Sequence, residues 1–386
     1  MHTPWTDFRE QMPVTQNWAY FDHAAVAPLC GPARSAISTW LVEASEQGDT
    51  CWPQWEQTAQ QTRQTAAAML GADAAEIAIT PNTTAGLALV AEGFPWQSGD
   101  NVVTLENEFP SNLYPWMNLA RQGVEARTVA VEQGRADVQR ILDACDDRTR
   151  LISVSWVGYA SGWRFTSADL RALVDGAHRR GALFLLDAIQ GLGVFPLDVR
   201  QTGIDFLAAD GHKWMLGPEG AGLFYLRREH LETLRPLGVG WNSVRQSHDF
   251  GRVELNLRET AERYEGGTRN MSGAIGLGAS LQLLAGKGLT PQASPVAERV
   301  LELADDAHQR LTAAGAEMLS PHDGEHRSGI LTFRLGDEDP AAQRRRCLDQ
   351  GVVLSCRGGG LRISPHAYNN AADLDRLLAA LQQPAS

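Results

Sequence analysis

Lysine is almost absent from this chain. Its 386 residues include 34 lysines and arginines together, and only Lys213 and Lys287 are lysines. One chemical task cannot pass to arginine, because a neutral primary amine forms an imine with a carbonyl, whereas a guanidinium stays protonated and is a poor nucleophile. The scarcity therefore singles out Lys213 as a candidate functional amine, with an ordinary surface lysine as the alternative. Lys287 lies between two glycines and has the features of an exposed lysine.

Excess positive charge, paired cysteines and long apolar runs are also missing. The formal net charge of -12 at pH 7 argues against a nucleic-acid partner, since phosphate contacts need clustered positive charge. The five cysteines form no CxxC pair and no metal-ligand spacing, which predicts reduced thiols and no metal site. The N-terminus lacks the apolar core of a secretory signal, and no run approaches the ~18 apolar residues of a membrane span. We therefore expect a cytoplasmic protein without a membrane partner.

Short apolar runs alternate with helix-like segments from about residue 60 to 230. This alternation predicts an α/β fold whose large domain has a mainly parallel seven-stranded sheet covered on both faces. After residue 270 the pattern becomes α+β, so we expect a large domain at 16–270 and a smaller one formed by 1–15 and 271–386. The segment 240–270 is interpreted as loop. The strands expected in the large domain are 76–80, 101–106, 126–131, 151–157, 182–187, 205–209 and 222–227.

Polar residues follow two of these strands. Asp187 ends one strand, and Asp210, His212 and Lys213 follow another. The carboxyl ends of parallel strands are where ligand sites form in α/β sheets. A helix N-cap is the alternative role for Asp187.

A second signal lies upstream, where Thr83 and Thr84 open an apolar helix. The free amides of a helix start, together with two hydroxyls, suit a phosphate group, and an ordinary helix cap is the alternative. An amine, a carboxylate and a phosphate cradle together indicate a site for an aldehyde that carries a phosphate and a pyridine nitrogen. The cofactor expected is pyridoxal 5'-phosphate (PLP).

The sequence resembles the class V aminotransferase family of fold-type I PLP-dependent enzymes, which includes cysteine desulfurases and isopenicillin N epimerase-like proteins. The resemblance covers nearly the whole chain, and its most specific segment is DGHKWMLGPEG at 210–220. Further matching segments are YFDHAA at 20–25, LLDAIQG at 185–191, EGGT at 265–268 and GLRIS at 360–364. A smaller α+β C-terminal domain and a homodimer with shared active sites are implied.

The resemblance implies roles for residues around the cofactor ring. Lys213 is implied to be the Schiff-base lysine and the natural base, since a partly desolvated lysine has a depressed pKa. Asp187 is implied to hold the pyridine nitrogen protonated, and Gln190 to contact the ring hydroxyl. Phe109 falls where a stacking aromatic is expected, with an ordinary core Phe as the alternative. The desulfurases have His there, and Phe can stack but cannot carry a proton.

The same resemblance implies a set of phosphate contacts. Thr268 is implied to reach into the partner subunit's site. Asp210 stands where the desulfurases have a phosphate-binding Ser, and a carboxylate beside a phosphate is unfavourable. The other implied contacts are Thr83, Thr84 and His212.

The substrate side of the site is implied to contain Arg362, a bidentate clamp for a substrate carboxylate. His23 is placed at the border of the substrate pocket, with a satisfied core His as the alternative. Desulfurases need a nucleophilic Cys on a mobile loop well upstream of this Arg. Here the only nearby thiol is Cys356, six positions before Arg362, and the connection between them is short. We therefore expect an enzyme acting on an amino acid or related amine, primarily an aminotransferase. A C–S lyase, desulfurase or epimerase is the alternative, and a non-catalytic scaffold is a third hypothesis.

Overall fold

Helices and strands alternate along the described part of the chain, residues 4–322 and 324–382 of the computed structural model. The α-helices are α1 (Pro4–Glu10), α2 (Gly31–Glu46), α3 (Trp52–Leu70), α4 (Thr83–Gly93), α5 (Tyr114–Asn118), α6 (Val138–Asp143), α7 (Ser167–His178), α8 (Val199–Thr202), α9 (Met271–Gly286), α10 (Pro295–Ala313), α11 (Pro340–Asp349) and α12 (Ala371–Gln382). The strands are β1 (Ala19–Tyr20), β2 (Ile77–Thr80), β3 (Asn101–Leu105), β4 (Glu125–Val129), β5 (Thr149–Ser155), β6 (Leu183–Asp187), β7 (Phe206–Asp210), β8 (Gly222–Leu226), β9 (Glu317–Met318), β10 (Leu331–Arg334), β11 (Val352–Val353), β12 (Ser355–Arg357) and β13 (Gly360–Ile363). None of these helices is both long enough and apolar enough to cross a membrane.

A seven-stranded sheet forms the centre of the large domain, with strand order β2-β8-β7-β6-β5-β3-β4. Only β8 runs antiparallel to its neighbours, and the other neighbouring pairs are parallel. Every residue of β7 and β8 is buried, as expected for strands covered on both faces. The α/β prediction with a mainly parallel sheet is confirmed. Each predicted strand of the sheet lies within two residues of the observed bounds.

The smaller C-terminal part contains an antiparallel sheet of order β12-β13-β10-β9. The N-terminal strand β1 pairs with β11 of this part, and Phe21 packs in the same apolar cluster as Phe333 and Ile363. Helix α9 packs against α2 and α3, and its Leu277 and Leu281 belong to the apolar core of the large sheet. The domain boundary at residue 270 stays a prediction, and the packing groups α9 with the large sheet.

The segment 240–270 is mainly irregular, with two short 3-10 helices at Trp241–Ser243 and Ala261–Tyr264. This agrees with its interpretation as loop. The sequence reasoning missed β1, β9 and β13, since strands of two to four residues are too short to show an alternating pattern.

Helix α4 lies very close to the sheet at Gly86. A Cβ atom at this position would lie 2.7 Å from the Cβ of Ala208 on β7, so only glycine allows this approach. The start of α4 is thereby placed beside the carboxyl end of β7.

A buried ion-pair network anchors the segment that follows residue 264. Arg63 of α3 lies 2.7 Å from the Glu265 carboxylate, and Arg269 lies 3.2 Å from its other oxygen. The Glu265 carboxylate also accepts a hydrogen bond from the backbone N–H of Ile79 on β2 at 2.9 Å. One carboxylate therefore connects a helix, a sheet strand and the 265–269 segment.

Replacing Glu265 with Ala should lower the free energy of unfolding by about 3–5 kcal/mol, because breaking a buried pair leaves the Arg63 charge without its closest partner. The control is Glu259→Ala, which removes an exposed partner of Arg245 and should cost less than about 1 kcal/mol. Denaturant unfolding followed by tryptophan fluorescence measures both. Equal losses in the two variants would contradict the anchoring role.

Candidate active site

A cavity of about 370 Å³ opens beside the carboxyl ends of β6 and β7. It brings together nine of the predicted site residues and leaves out His23 and Thr268. The predicted residues that line it are Thr83, Thr84, Phe109, Asp187, Gln190, Asp210, His212, Lys213 and Arg362. Asp187 and Asp210 meet here because the neighbouring parallel strands β6 and β7 end at the same edge of the sheet, whereas Arg362 comes from β13 of the smaller sheet.

Lys213 and Asp187 form the buried, charged centre of this cavity. Lys213 is 9% exposed and Asp187 2% exposed. Burial lowers the pKa of the Lys213 ammonium to about 8, although the Asp187 carboxylate opposes this shift. Burial also raises the pKa of Asp187 to about 6, against the hydrogen bond from the backbone N–H of Ile189 and the charge of Lys213. Asp187 is therefore ionised at neutral pH, and Lys213 loses its proton far more easily than an exposed lysine.

Gln190 is held in one orientation by hydrogen bonds at both ends of its amide. Its Oε1 accepts from the indole N–H of Trp214 at 2.9 Å, and its Nε2 donates to the backbone carbonyl of Ala24 at 2.9 Å. A side-chain amide carries two N–H donors, so one of them is left beyond the bond to Ala24. The predicted contact to a ring hydroxyl stays a prediction and would use this remaining donor.

The start of α4 forms the polar wall of the cavity. Asn82 caps the helix, since its side chain accepts from the backbone N–H of Ala85 at 2.9 Å. Thr83 Oγ1 accepts from the backbone N–H of Asp210 at 2.9 Å, and Thr84 Oγ1 donates to Ser111 Oγ at 2.8 Å. Thr83 and Thr84 both line the cavity at the start of this helix, which is where a phosphate site would lie. Ser111 was not identified from the sequence.

Two buried polar atoms next to this wall lack hydrogen-bond partners. His212 Nδ1 lies 2.9 Å from Asp210 Oδ2, yet the two are not aligned for a hydrogen bond, and the described residues offer none to His212 Nδ1 or Asp210 Oδ1. Buried polar groups are almost always paired, so unpaired ones in a cavity mark a place for a ligand. The His212 ring beside Asp210 offers positive charge, when protonated, that offsets the carboxylate.

Arg362 lies at the opposite side of the cavity on β13. Its guanidinium donates to the backbone carbonyl of Tyr159 at 2.8 Å and to the Asp22 carboxylate at 3.3 Å. Its Nε is buried and has no partner among the described residues. Because a guanidinium has five N–H donors, Arg362 keeps donors available for a carboxylate. Asp22 was missed as a site residue, although it stands inside the matching segment 20–25.

Phe109 lines the cavity in the region of Lys213. The Lys213 Nζ lies 5.6 Å from the centroid of the Phe109 ring, and this ring packs edge-to-face against Tyr159 with centroids 5.3 Å apart. The ring is 41% exposed, so it is not an ordinary core Phe. Its stacking role stays a prediction.

The structure does not bring His23 to the cavity, which corrects its placement at the substrate pocket. His23 is fully buried, and its ring nitrogens are bonded to the carbonyl of Ser364 at 2.7 Å and the hydroxyl of Tyr368 at 2.8 Å. A buried histidine whose two ring nitrogens both have hydrogen-bond partners is a core residue. Thr268 lies in a separate recess with Pro81 and Glu265, and its predicted reach into a partner subunit stays a prediction.

The cysteines lie away from the cavity. All five belong to the described residues, and none is among those that line it. Cys356 is flanked on β12 by Ser355 and Arg357, whose side chains face Asp22 and the cavity respectively. Successive side chains of a strand point to opposite faces, and Cys356 packs towards the core of the small domain, with its Sγ 3.3 Å from the carbonyl of Pro340.

Comparison with known proteins identifies the family of this chain. Residues 19–377 match the family described as "Aminotransferase class-V". The chain belongs to the class V aminotransferases. It is 30% identical to a probable cysteine desulfurase of Methanothermobacter thermautotrophicus over 98% of this chain and 97% of that protein. It is 31% identical to a cysteine desulfurase of Klebsiella pneumoniae over 83% of this chain and 81% of that protein.

A solved structure shares the fold over the whole length. The apo structure of a cysteine desulfurase from Thermococcus onnurineus superposes with a TM-score of 0.88 at 25% identity, covering 99% of this chain and 98% of that one. The class V enzyme described here is therefore a fold-type I PLP-dependent enzyme.

The residues of the cavity fit this cofactor. Lys213 would hold the aldehyde carbon, Asp187 the pyridine nitrogen, and the start of α4 with His212 the phosphate. The buried, unpaired Nδ1 of His212 supports this placement, whereas the Asp210 carboxylate is unfavourable beside a phosphate. When bound, PLP supplies an electron sink for negative charge that develops at the Cα of an amino-acid substrate.

The rate at which the apoprotein takes up PLP covalently should rise with pH through a midpoint near the Lys213 pKa of about 8. Only the neutral amine attacks an aldehyde, and rising pH removes the ammonium proton. In Asp187→Asn the midpoint should fall, because the Asp187 charge favours the ammonium form. Absorbance after mixing gives the rate, and borohydride reduction should leave the cofactor on a peptide containing Lys213.

The control for this measurement is Asp175→Asn on the exposed face of α7, which should leave the midpoint unchanged. A midpoint near the ordinary lysine value of about 10.4 would show that burial does not activate Lys213. Trapping of the cofactor on another residue would remove Lys213 from the site.

Proposed function

We propose that this class V enzyme is a PLP-dependent C–S lyase that cleaves the Cβ–S bond of cysteine or an S-substituted cysteine. The curated relatives are named for cysteine chemistry, which favours this alternative over the aminotransferase expected first from the sequence. The observation that carries elimination, rather than persulfide transfer, is the absence of a thiol from the described residues that line the cavity.

Each residue has a defined task in this reaction. Arg362 binds the substrate α-carboxylate through its free Nε–H and neighbouring donors, which fixes the orientation of Cα. Lys213 accepts the Cα proton as a general base, since burial lowers its pKa to about 8. Asp187 stays ionised above its pKa of about 6 and keeps a proton on the pyridine nitrogen of the cofactor.

The reaction balances without an outside oxidant or reductant. The Cα–H bond breaks and its proton goes to the Lys213 nitrogen, and the Cβ–S bond breaks as sulfur leaves with the electron pair as a thiolate. Water then hydrolyses the released unsaturated amine to pyruvate and ammonia. Phe109 carries no proton, so proton transfer to the leaving sulfur must come from another group or from water.

Cysteine desulfuration through an enzyme-bound persulfide is the second candidate, and the relatives' names favour it. It requires a thiolate that attacks the substrate sulfur. Burial raises the pKa of the Cys356 thiol above its usual value, and its strand directs it away from the cavity. Both features work against a nucleophilic role.

Incubation with L-cysteine should yield pyruvate, ammonia and sulfide in equal amounts, measured with a lactate dehydrogenase assay and a sulfide electrode. Lys213→Ala should reduce the rate by about 10²–10⁴-fold, because it removes the general base. Cys356→Ala and the control Cys145→Ala should both keep near-parental rates. Alanine as product, abolished by Cys356→Ala, would establish desulfuration instead. A keto acid formed while the cofactor retains the amino group would establish transamination.

A homodimer with shared sites belongs to the same proposal. Thr268 lies outside the cavity of its own chain, so its implied phosphate contact requires a second subunit. Thr268→Ala should weaken PLP retention, because it removes the implied phosphate contact. Sedimentation equilibrium gives the oligomeric state.

A further inference from the structure

The cavity contains a second arginine that the reaction described above does not use. Arg357 lines the cavity and is exposed at its mouth. Its guanidinium donates to the backbone carbonyl of Cys356 at 2.8 Å. No ion pair with a carboxylate is found for it within the described ranges, whereas Arg362 has the Asp22 carboxylate at 3.3 Å.

The hairpin of β12 and β13 places Arg357 on the same face as Arg362. Ser355 is directly paired with Arg362 across the two strands, and directly paired residues share a face. Arg357 follows Ser355 by two residues and therefore points to that face as well. The residue opposite Arg357 is Gly360, which leaves the space beside the guanidinium free of a cross-strand side chain.

The remaining charges of the cavity are offset in pairs. Asp187 faces Lys213, Asp22 faces Arg362, and Asp210 lies beside His212. Arg357 has no such partner among the described residues, so it gives the substrate side of the cavity a surplus positive charge. Burial raises the pKa of Asp22 and lowers that of Arg362, and the positive charge of Arg357 acts to lower the pKa of both groups.

We propose that Arg357 binds an anionic group at the far end of the substrate side chain, so that the preferred substrates are S-substituted cysteines with a distal carboxylate. This inference rests on the proposed C–S cleavage and adds its substrate class. Arg362 binds the α-carboxylate, and Arg357 binds the second carboxylate, because a planar guanidinium matches a carboxylate with two parallel hydrogen bonds.

The kinetic test compares two nearly isosteric substrates, S-(2-carboxyethyl)-L-cysteine and its neutral amide, S-(2-carbamoylethyl)-L-cysteine. The KM of the parent enzyme should be roughly tenfold lower for the carboxylate, as for a hydrogen bond to a charged group. Arg357→Met should remove this preference by raising the KM for the carboxylate substrate to that for the amide, because the variant lacks the guanidinium that distinguishes the two. Arg357→Lys should keep part of the preference for the carboxylate substrate. The control Arg345→Met, on the exposed face of α11, should keep all of it.

An equilibrium measurement separates this inference from the proposed reaction. Titration calorimetry of the PLP-loaded protein with adipate and with its monoamide, adipamate, should show tighter binding of the dicarboxylate in the parent and equal binding in Arg357→Met. If no S-substituted cysteine yields pyruvate but adipate binding still depends on Arg357, the anion subsite stands and the C–S lyase proposal fails. If the parent enzyme has equal KM values for the carboxylate and amide substrates and binds adipate and adipamate with equal affinity, the subsite is overturned.

Discussion

The burial of one amine against one carboxylate is the constraint on which the whole site depends. Loss of hydration disfavours the charged form of each group, so the pKa of Lys213 falls to about 8 and that of Asp187 rises to about 6. At pH 7 roughly a tenth of Lys213 amines are then neutral, against fewer than about one in a thousand for an ordinary lysine. The mutual attraction of the Lys213 ammonium and the Asp187 carboxylate limits both pKa shifts. The same pair therefore suits the two proposed roles, a base and an ionised partner for the cofactor nitrogen.

Two parts of the fold contribute different properties to the cavity. The large sheet positions Lys213, Asp187 and the start of α4, which are the groups proposed to hold PLP and to move the Cα proton. The β12–β13 hairpin supplies Arg362 and Arg357, which line the cavity on the proposed substrate side. The Asp22 carboxylate, which follows β1, holds the two strands of this hairpin together, since it accepts hydrogen bonds from both Arg362 on β13 and Ser355 on β12.

Much of the fold was predictable because buried parallel strands leave a clear signal. Seven apolar runs, spaced by helical segments, predicted the strands of the large sheet to within two residues. Strands of two or three residues, such as β1 and β9, leave no periodicity and were missed. Nine of the eleven predicted site residues line the cavity, but they were named mainly through motif resemblance, and His23 shows the weakness of that approach. Motif position placed it near the substrate, whereas Ser364 and Tyr368, 341 and 345 residues away in sequence, satisfy its ring.

The sequence by itself determined the family and the cofactor, and it singled out the amine proposed to hold that cofactor, since a rare lysine in a specific motif is visible in the local sequence alone. Only the tertiary structure decided which charges face each other and which thiols can react. The Cys356 side chain turns away from the cavity because strand alternation fixes its direction, while Arg357, one residue later, turns toward it. Asp22 and Arg362 meet across 340 positions of chain. Directions and distances of this kind arise from long-range packing, which no local pattern of residues encodes.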